Sequence, residues 1–150
     1  MHINDKSEIW AQMWRKQVDL GCIPYYMFIA RDTGSKQYFE LPLEKCWNIF
    51  RRAYQQVSGL CRTVRGPSMS DHAGKIQVLG MQEIKGEKIF ILRFIQGRNP
   101  KWVDIPFLQN TILKRLGSTS LSQHLAKTNF FLKKVVINSR IQNLSYLSKL

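Results

Sequence analysis

Hydrophobic residues recur every three or four positions in two stretches of the chain, which is the spacing of amphipathic helices. The first stretch, Ser7 to Asp19, begins with a serine suited to the N-cap position, and Gly21 follows its end. The second follows Pro42, a residue that suits the first turn of a helix, and it keeps its period up to Ser58 and Gly59. The pattern therefore predicts two helices, each with one buried face.

Other stretches have the pattern of strands. The run CIPYYMFIA, Cys22 to Ala30, is nearly unbroken in its apolar character, which predicts a strand buried on both faces of a parallel sheet. Ile76 to Met81 and Lys88 to Ile95 predict two strands joined as a hairpin across Lys85-Gly86-Glu87. Phe107 to Leu116 is weakly helical in its pattern. Helix, buried strand and helix in succession indicate an α/β-barrel or a doubly wound α/β segment.

The charge of the chain is strongly positive. The 150 residues include 23 Lys and Arg against 10 Asp and Glu, for a formal charge of +13. Such an excess is typical of proteins that bind polyanions, nucleic acid above all. A positive excess also results when a chain is the basic part of a larger protein whose acidic half is absent. We favour this second interpretation. The apolar fraction of 44% predicts a chain that folds around a core.

The hydrophobic segments and the spacing of the cysteines indicate the compartment of the protein. No stretch approaches the roughly 18 consecutive apolar residues of a membrane span, and the N-terminus has no apolar signal core. We therefore expect a cytoplasmic protein with no membrane partner. Cys22, Cys46 and Cys61 are widely spaced, which favours reduced, buried side chains over a disulfide framework or a local CxxC metal site.

The segment CRTVRGPSMSDHAGK, Cys61 to Lys75, has the pattern of a long polar loop, neither helix nor strand. A lysine amine forms a Schiff base with an aldehyde cofactor, and arginines and hydroxyls bind phosphate, so Lys75 with Arg62 and Arg65 suits pyridoxal phosphate. The same inventory suits an RNA backbone. His72 stands beside Asp71, where it is either an acid–base group or, as we favour, a turn residue.

From roughly His2 to Phe107 the chain resembles the C-terminal part of the lysine 2,3-aminomutase family. These are radical S-adenosylmethionine enzymes that also bind pyridoxal phosphate. The resemblance depends on PYY at Pro24 to Tyr26, on the region of Phe39 and Pro42, and on Ser58-Gly59. The family's pyridoxal lysine follows this Ser-Gly by sixteen residues within GGK, and Lys75 holds that position in AGK. RTVRGPSMS, Arg62 to Ser70, is similar to a less studied branch of the family.

The chain departs from the family where the substrate would bind. Aspartates that resemble anchors for the substrate's amino groups in the well-known aminomutases are replaced here by Arg31 and Ser68. Carboxylates bind ammonium groups because opposite charge and hydrogen bonding coincide, so Arg31 would repel one. Asp32, one residue on, would bind the substrate amine only if the end of the strand shifts. We expect Tyr25 and Tyr26 to pack in the core; the alternative is that one of them lines the cofactor pocket.

The family's four-iron, four-sulfur cluster is held by CxxxCxxC, a spacing that the chain lacks. Its three cysteines lie 24 and 15 residues apart. We therefore expect the cluster and the S-adenosylmethionine site to belong to an N-terminal half that precedes Met1. The chain would then be a fragment, or a subunit whose companion chain carries CxxxCxxC.

The resemblance implies an α/β fold class with three parts. Residues 1–59 would be the last helix–strand–helix units of a partial (β/α) barrel, residues 60–116 the loop with the pyridoxal lysine and a small β-hairpin, and residues 117–150 a basic tail. In an intact relative, a 5′-deoxyadenosyl radical would abstract hydrogen from a small-molecule amine held on pyridoxal phosphate, and the amino group would migrate to the adjacent carbon. We expect the isolated chain to be inactive. The alternative is a non-enzymatic basic module that binds nucleic acid through the tail and the Arg62 to Lys75 loop. Either protein could also associate as a homo-oligomer.

Overall fold

The structure is a computed structural model that describes residues 4–30, 41–71, 73–84 and 86–110. The described part is a mixed α/β fold, as the sequence predicted at the level of fold class. In chain order its helices and strands are α1 (Ser7–Asp19), β1 (Tyr26–Phe28), α2 (Leu43–Gln55), β2 (Arg65–Asp71), β3 (Gly74–Ile84), β4 (Glu87–Gly97) and β5 (Pro106–Asn110). Short 3₁₀ helices at Gly59–Thr63 and Pro100–Trp102 precede β2 and β5.

Helix α1 has the predicted bounds, and its end follows the predicted chemistry. Gly21 has a φ of 75°, its N–H donates to the Val18 carbonyl, and the Cys22 N–H donates to the Gln17 carbonyl. This is a Schellman cap, which a glycine adopts without steric cost. The N-terminal prediction is wrong: Lys6 occupies the N-cap position, and Ser7 is the first helical residue, with its hydroxyl donating to Glu8.

Helix α2 also confirms the periodicity argument. It begins directly after Pro42, whose fixed φ suits a helix start. The residues on one side of the helix are buried, and they pack against α1 and against the sheet. These residues are Leu43, Cys46, Ile49, Phe50 and Ala53.

The five strands form one sheet in the order β1-β2-β3-β4-β5. β1 and β2 are parallel because α2 carries the chain back between them, and the other three pairs are antiparallel. The predicted hairpin is confirmed as β3 and β4, which are longer than predicted, with Gly86 in their turn at a φ of 76°. The expectation of a parallel sheet is thus correct only for the β1–β2 pair.

Two secondary-structure predictions are wrong. Most of the segment from Cys61 to Lys75 is not a loop, because Arg65–Asp71 is strand β2, hydrogen-bonded to β1 on one side and β3 on the other. The described part of Phe107 to Leu116 is not helical, because it belongs to β5, whose Phe107 pairs with Leu92. Both strands are specified by pairing with distant segments, which local periodicity does not record.

The stretch from Cys22 to Ala30 is buried on one face only. Met27 is 4% exposed and packs with Ile49 and Phe50 of α2, whereas Tyr25 and Phe28 are 53% and 54% exposed. The helices cover one face of the sheet, where Leu43 packs with residues of β2, β3 and β4. No helix in the described residues is long and apolar enough to cross a membrane. The predicted linker and tail lie outside the described residues, and the three-part domain division stays a prediction.

Candidate functional site

The face of the sheet away from the helices carries a cluster of aromatic rings on β1. Side chains alternate along a strand, so Tyr26 and Phe28 project to the face opposite the buried Met27. Their rings stack with centroids 4.7 Å apart, and the Tyr25 ring meets that of Tyr26 edge-on at 4.4 Å. We call Tyr25, Tyr26 and Phe28 the aromatic patch. Aromatic rings of this kind offer apolar faces on which a planar ligand can stack.

Lys75 lies on this patch. Its Nζ is 4.7 Å from the ring centroid of Tyr26 and 5.6 Å from that of Phe28, so the ammonium rests on the negative faces of both rings. The residue is the second of β3, pairs with Ser70 of β2, and is half-buried. The side chain therefore crosses β2 to reach β1. Three strands cooperate to place one amine against two rings.

The two predicted arginines lie in different places. The guanidinium carbon of Arg65 is 5.3 Å from the centroid of the Tyr25 ring, so Arg65 borders the aromatic patch. Arg62 donates from Nε to the Val57 carbonyl at 2.7 Å and lies over the ring of Tyr54 in α2. Arg62 thus contacts the helical side of the sheet, and the structure does not bring it to Lys75. Arg65 begins β2 five residues before the partner of Lys75, up to about 17 Å along the strand.

Two other sequence candidates, Asp32 and His72, lie outside the described residues, as does Arg31. Ser68, the other position of departure from the family, is fully buried on β2. Its hydroxyl donates to the Arg65 carbonyl at 3.1 Å. The prediction that Tyr25 and Tyr26 pack in the core is wrong, because neither belongs to the buried core and Tyr26 is in contact with Lys75.

A row of side chains runs across the sheet beside Lys75. The backbone register pairs Phe28 with Ser68, Ser68 with Gln77, and Gln77 with Arg93. Arg93 donates from Nε and Nη2 to the Gln77 side-chain oxygen at 3.1 and 3.0 Å, and its Nη1 lies 3.2 Å from the Asp104 carboxylate. Sequence reasoning did not select Gln77 or Arg93. The available signal was that Arg93 is a single charged residue within the otherwise apolar run IFILRFI, Ile89 to Ile95.

The described residues offer no ligand set for a metal. No group of three or more His, Cys, Asp or Glu side chains in this part of the chain is arranged to hold an ion. Cys46 and Cys61 are buried as predicted, and burial raises the pKa of the Cys46 thiol to about 11. Cys22 is exposed, contrary to the prediction.

The surroundings of Lys75 do fit a planar aldehyde cofactor. They combine a primary amine, an aromatic surface beside it, and a small hydroxyl residue, Ser70, opposite Lys75 on the intervening strand. Pyridoxal phosphate needs an amine for its aldehyde, a surface for its ring and a cation for its phosphate. Each of these groups is present on or at the border of this face.

The fold and site together define a mixed α/β protein with an amine positioned on an aromatic surface. The chain is similar to a protein of Aquifex aeolicus (strain VF5) named "Putative L-lysine 2,3-aminomutase", with 31% identity over 99 residues. The similar region covers 66% of this chain and 25% of that protein, so the chain spans about a quarter of the relative's length. No family model and no solved structure matches the chain. The similarity supports, at the level of the family, the resemblance inferred from the sequence.

Proposed function

We propose that this chain is part of a lysine 2,3-aminomutase-like enzyme and that it holds the enzyme's pyridoxal phosphate at Lys75. The observation that carries the proposal is the Lys75 amine on the rings of Tyr26 and Phe28. This is the residue to which the resemblance assigns the cofactor, and the similarity to the Aquifex protein supports the same family.

The residues around Lys75 divide the binding of the cofactor among them. Pyridoxal phosphate supplies an aldehyde that bonds to amines and a ring that withdraws electrons from the adjoining carbon. The Lys75 nitrogen would bond to the aldehyde carbon with loss of one water molecule. Tyr26 and Phe28 would stack on the ring and exclude water from one of its faces. Arg65 borders the aromatic patch, whereas Arg62 contacts α2, so of the two predicted arginines Arg65 is the better placed.

The radical chemistry would come from a companion polypeptide with CxxxCxxC and S-adenosylmethionine. In the described part of the chain, β1 is an edge strand; Ile23, just before it, and Phe28, within it, are 72% and 54% exposed. An edge of this kind pairs with a strand of another chain. We propose that the companion adds a parallel strand there and extends the sheet toward a partial (β/α) barrel, with a small-molecule amine as substrate. Co-expression should give amino-group migration only with both chains, and Ile23→Asp should reduce their association.

Pyridoxal binding can be tested on the chain itself. We would mix the purified protein with pyridoxal phosphate, reduce with borohydride, and locate the modified lysine by peptide mass spectrometry. The expected result is modification concentrated at Lys75. Labelling spread evenly over the many lysines of this basic chain would refute the proposal.

Matched variants sharpen this experiment. Lys75→Arg keeps the positive charge on the aromatic patch but removes the primary amine, so site-selective labelling should disappear. Lys101→Arg changes an exposed lysine of the second 3₁₀ helix and should leave labelling at Lys75 unchanged. Phe28→Leu keeps an apolar side chain but removes a stacking ring, and it should reduce occupancy at Lys75 without abolishing it.

The same surface supports a second candidate function. Bases of single-stranded nucleic acid stack on exposed aromatic rings flanked by cations, and Arg65 and Lys75 flank the aromatic patch in this way. If the chain is the basic module of the alternative prediction, its affinity for a single-stranded oligonucleotide should fall steeply with salt and should fall again in Phe28→Ala. A flat salt response would remove this candidate.

A further inference from the structure

The most exposed large apolar side chains of the described residues belong to two short segments. Leu20, Ile23 and Leu60 are 80%, 72% and 68% exposed, and Tyr25 and Phe28 are exposed to more than half. Elsewhere in residues 4–30, 41–71, 73–84 and 86–110, every large apolar side chain is less than half exposed. Single exposed apolar residues are ordinary on a protein surface, whereas a contiguous group of them marks an interaction site.

The fold brings the two segments together. Leu20 and Ile23 flank the turn that leads from α1 into β1. The Thr63 hydroxyl donates to the Pro24 carbonyl and lies 3.1 Å from the Leu60 carbonyl, so the 3₁₀ helix that carries Leu60 lies beside this turn. We call Leu20, Ile23 and Leu60 the apolar end of the molecule. The aromatic patch follows it directly along the chain.

The free edge of β1 begins where the apolar end stops. The Tyr25 carbonyl accepts a hydrogen bond from β2 at 2.7 Å, and the Ile29 N–H donates one to β2 at 2.8 Å. Successive residues of a strand turn their backbone groups to opposite sides, so Tyr26 and Phe28 turn theirs outward. An edge of this kind pairs with the alternating N–H and C=O groups of another strand. A lipid surface does not present such groups, so the geometry favours a polypeptide as the partner.

Positive charge borders both the apolar end and the edge. Lys16 lies in the last turn of α1, Arg62 lies in the first 3₁₀ helix, and Arg65 and Lys75 lie on the aromatic patch. Asp19, the last residue of α1, offsets one of these charges. A second copy of this chain, whose formal charge is +13, would bring like charges together here. A partner that carries carboxylates would be attracted instead.

We propose that the apolar end and the free edge of β1 form one docking surface for an acidic, strand-forming segment of the companion polypeptide. The inference rests on the proposed function, and it adds the residues that anchor the companion and the sign of the charge that the companion carries. Apolar side chains of that segment would cover Leu20 and Leu60, and its backbone would pair with β1. Its carboxylates would lie against Lys16 and Arg65.

The test uses an array of short synthetic peptides as probes of this surface. Each peptide has a strand-forming core of valine, isoleucine, leucine and phenylalanine, flanked by glutamates in one set and by lysines in a matched set. Fluorescence anisotropy measures the affinity of the purified chain for each labelled peptide. Peptides flanked by glutamate should bind more tightly than their lysine counterparts, and the difference should shrink as salt is added. A proline in the core should reduce binding, because it removes a donor for the β1 edge.

Variants of the apolar end show where the peptides bind. Leu20→Ser and Leu60→Ser should each weaken the binding of a glutamate-flanked peptide by about ten-fold, because each removes a large apolar side chain that the peptide would cover. Ile84→Ser is the matched control, since Ile84 is an exposed apolar residue at the end of β3 beside the hairpin turn, and it should leave the affinity unchanged. All three residues are exposed, so the variants should fold, and circular dichroism checks that they do.

Other occupants of the surface would give other results. The inference would be overturned if no peptide bound, or if Leu20→Ser and Leu60→Ser bound the peptides as tightly as the wild type. Binding of phosphatidylserine vesicles in place of peptides would make the surface a membrane site. Self-association in analytical ultracentrifugation that Leu20→Ser abolishes would make it an interface between two copies of the chain. Either result would also overturn the inference.

The labelling of Lys75 by pyridoxal phosphate separates this inference from the proposed function. Leu20→Ser and Leu60→Ser should leave that labelling unchanged in the isolated chain, because neither residue contacts the amine or the rings beside it. Selective labelling together with a failure of peptide binding would overturn this inference and leave the proposed function standing. Unselective labelling would overturn the proposed function, and with it the assignment of this surface to the companion of an enzyme.

Discussion

The turn that precedes Lys75 makes a sharp stability prediction. Gly74 has a φ of 148°, a conformation that residues with a side chain rarely adopt. A Cβ placed there would clash severely with the Gln96 carbonyl oxygen, and it would lie 2.9 Å from the Gly97 Cα and 3.0 Å from the Gln96 carbonyl carbon. All three atoms belong to the backbone of β4, so relief requires that β3 and β4 move apart.

The expected cost follows from a comparison with the turn of the next hairpin. Gly86 has a φ of 76°, and a Cβ there would meet nothing within 4 Å. Gly86→Ala should therefore cost only the backbone strain of about 1 to 2 kcal/mol. Gly74→Ala carries comparable strain plus the forced displacement of a packed strand, which adds about 1 to 3 kcal/mol or more. We expect Gly74→Ala to exceed Gly86→Ala by about 2 kcal/mol, which is about thirty-fold in the folding equilibrium.

Equilibrium urea unfolding, followed by tryptophan fluorescence and by far-ultraviolet circular dichroism, measures both free energies of unfolding. The m-values of the two variants should match that of the wild type, so that the midpoints report stability and not a change of the denatured state. Gly74→Ala should also reduce the labelling of Lys75, because the strand that carries it is displaced. Equal costs for the two substitutions would show that β4 does not lie against Gly74 as described.

Three further outcomes are expected. Iodoacetamide at pH 8 should modify the exposed Cys22 rapidly, whereas Cys46 should react only in urea. The reason is that burial raises the pKa of the Cys46 thiol to about 11 and excludes the reagent. Equal modification rates of the two cysteines, measured by mass spectrometry, would contradict this. The hydrogen bond and charge of Glu44, 2.7 Å from the Lys88 amine, raise the pKa of Lys88. Glu44→Gln should lower that pKa in an NMR titration, and the stabilisation from the pair, present at lower pH, should be lost as pH rises through the raised value. Trp14→Ala should lower the free energy of unfolding, measured in urea, by about 3 to 5 kcal/mol, because the Trp14 side chain is 1% exposed between the helices. A decrease below about 1 kcal/mol would contradict this packing.

The elements that the sequence predicted well are those with local causes. Both helices and the β3–β4 hairpin follow from periodicity, a turn glycine and the proline before α2, all within about fifteen residues. Strand β2 was missed because its residues Gly66, Pro67 and Ser68 are typical of loops. They form a strand because β1 and β3 pair with it on both sides and bury it. Whether a polar segment forms a strand in the interior of a sheet depends on the distant segments that pair with it, and the local sequence does not identify them.

The residues of the candidate site also differ in whether the sequence alone could predict them. Lys75 was found because its position depends on spacing along the chain. Gln77 and Arg93 were missed because their position beside it depends on strand register, and the β3–β4 ladder has irregularities between Lys75 and Ile76 and again between Val78 and Gly80. The irregularity between Val78 and Gly80 shifts the pairing by one residue, so a count from the hairpin turn would pair Gln77 with Phe94 and not with Arg93.

The arrangement also separates two tasks of the proposed enzyme. The amine and the stacking rings come from β3 and β1 of one sheet, within the described residues. Under the proposed function, cofactor binding would depend on the folding of this chain, whereas radical generation would depend on the companion at the edge of β1. Because Phe28 belongs to that edge strand as well as to the aromatic patch, a strand added there would order the backbone that carries the ring beside Lys75. Association with the companion and occupancy of Lys75 should thus favour each other, since each orders the same short strand.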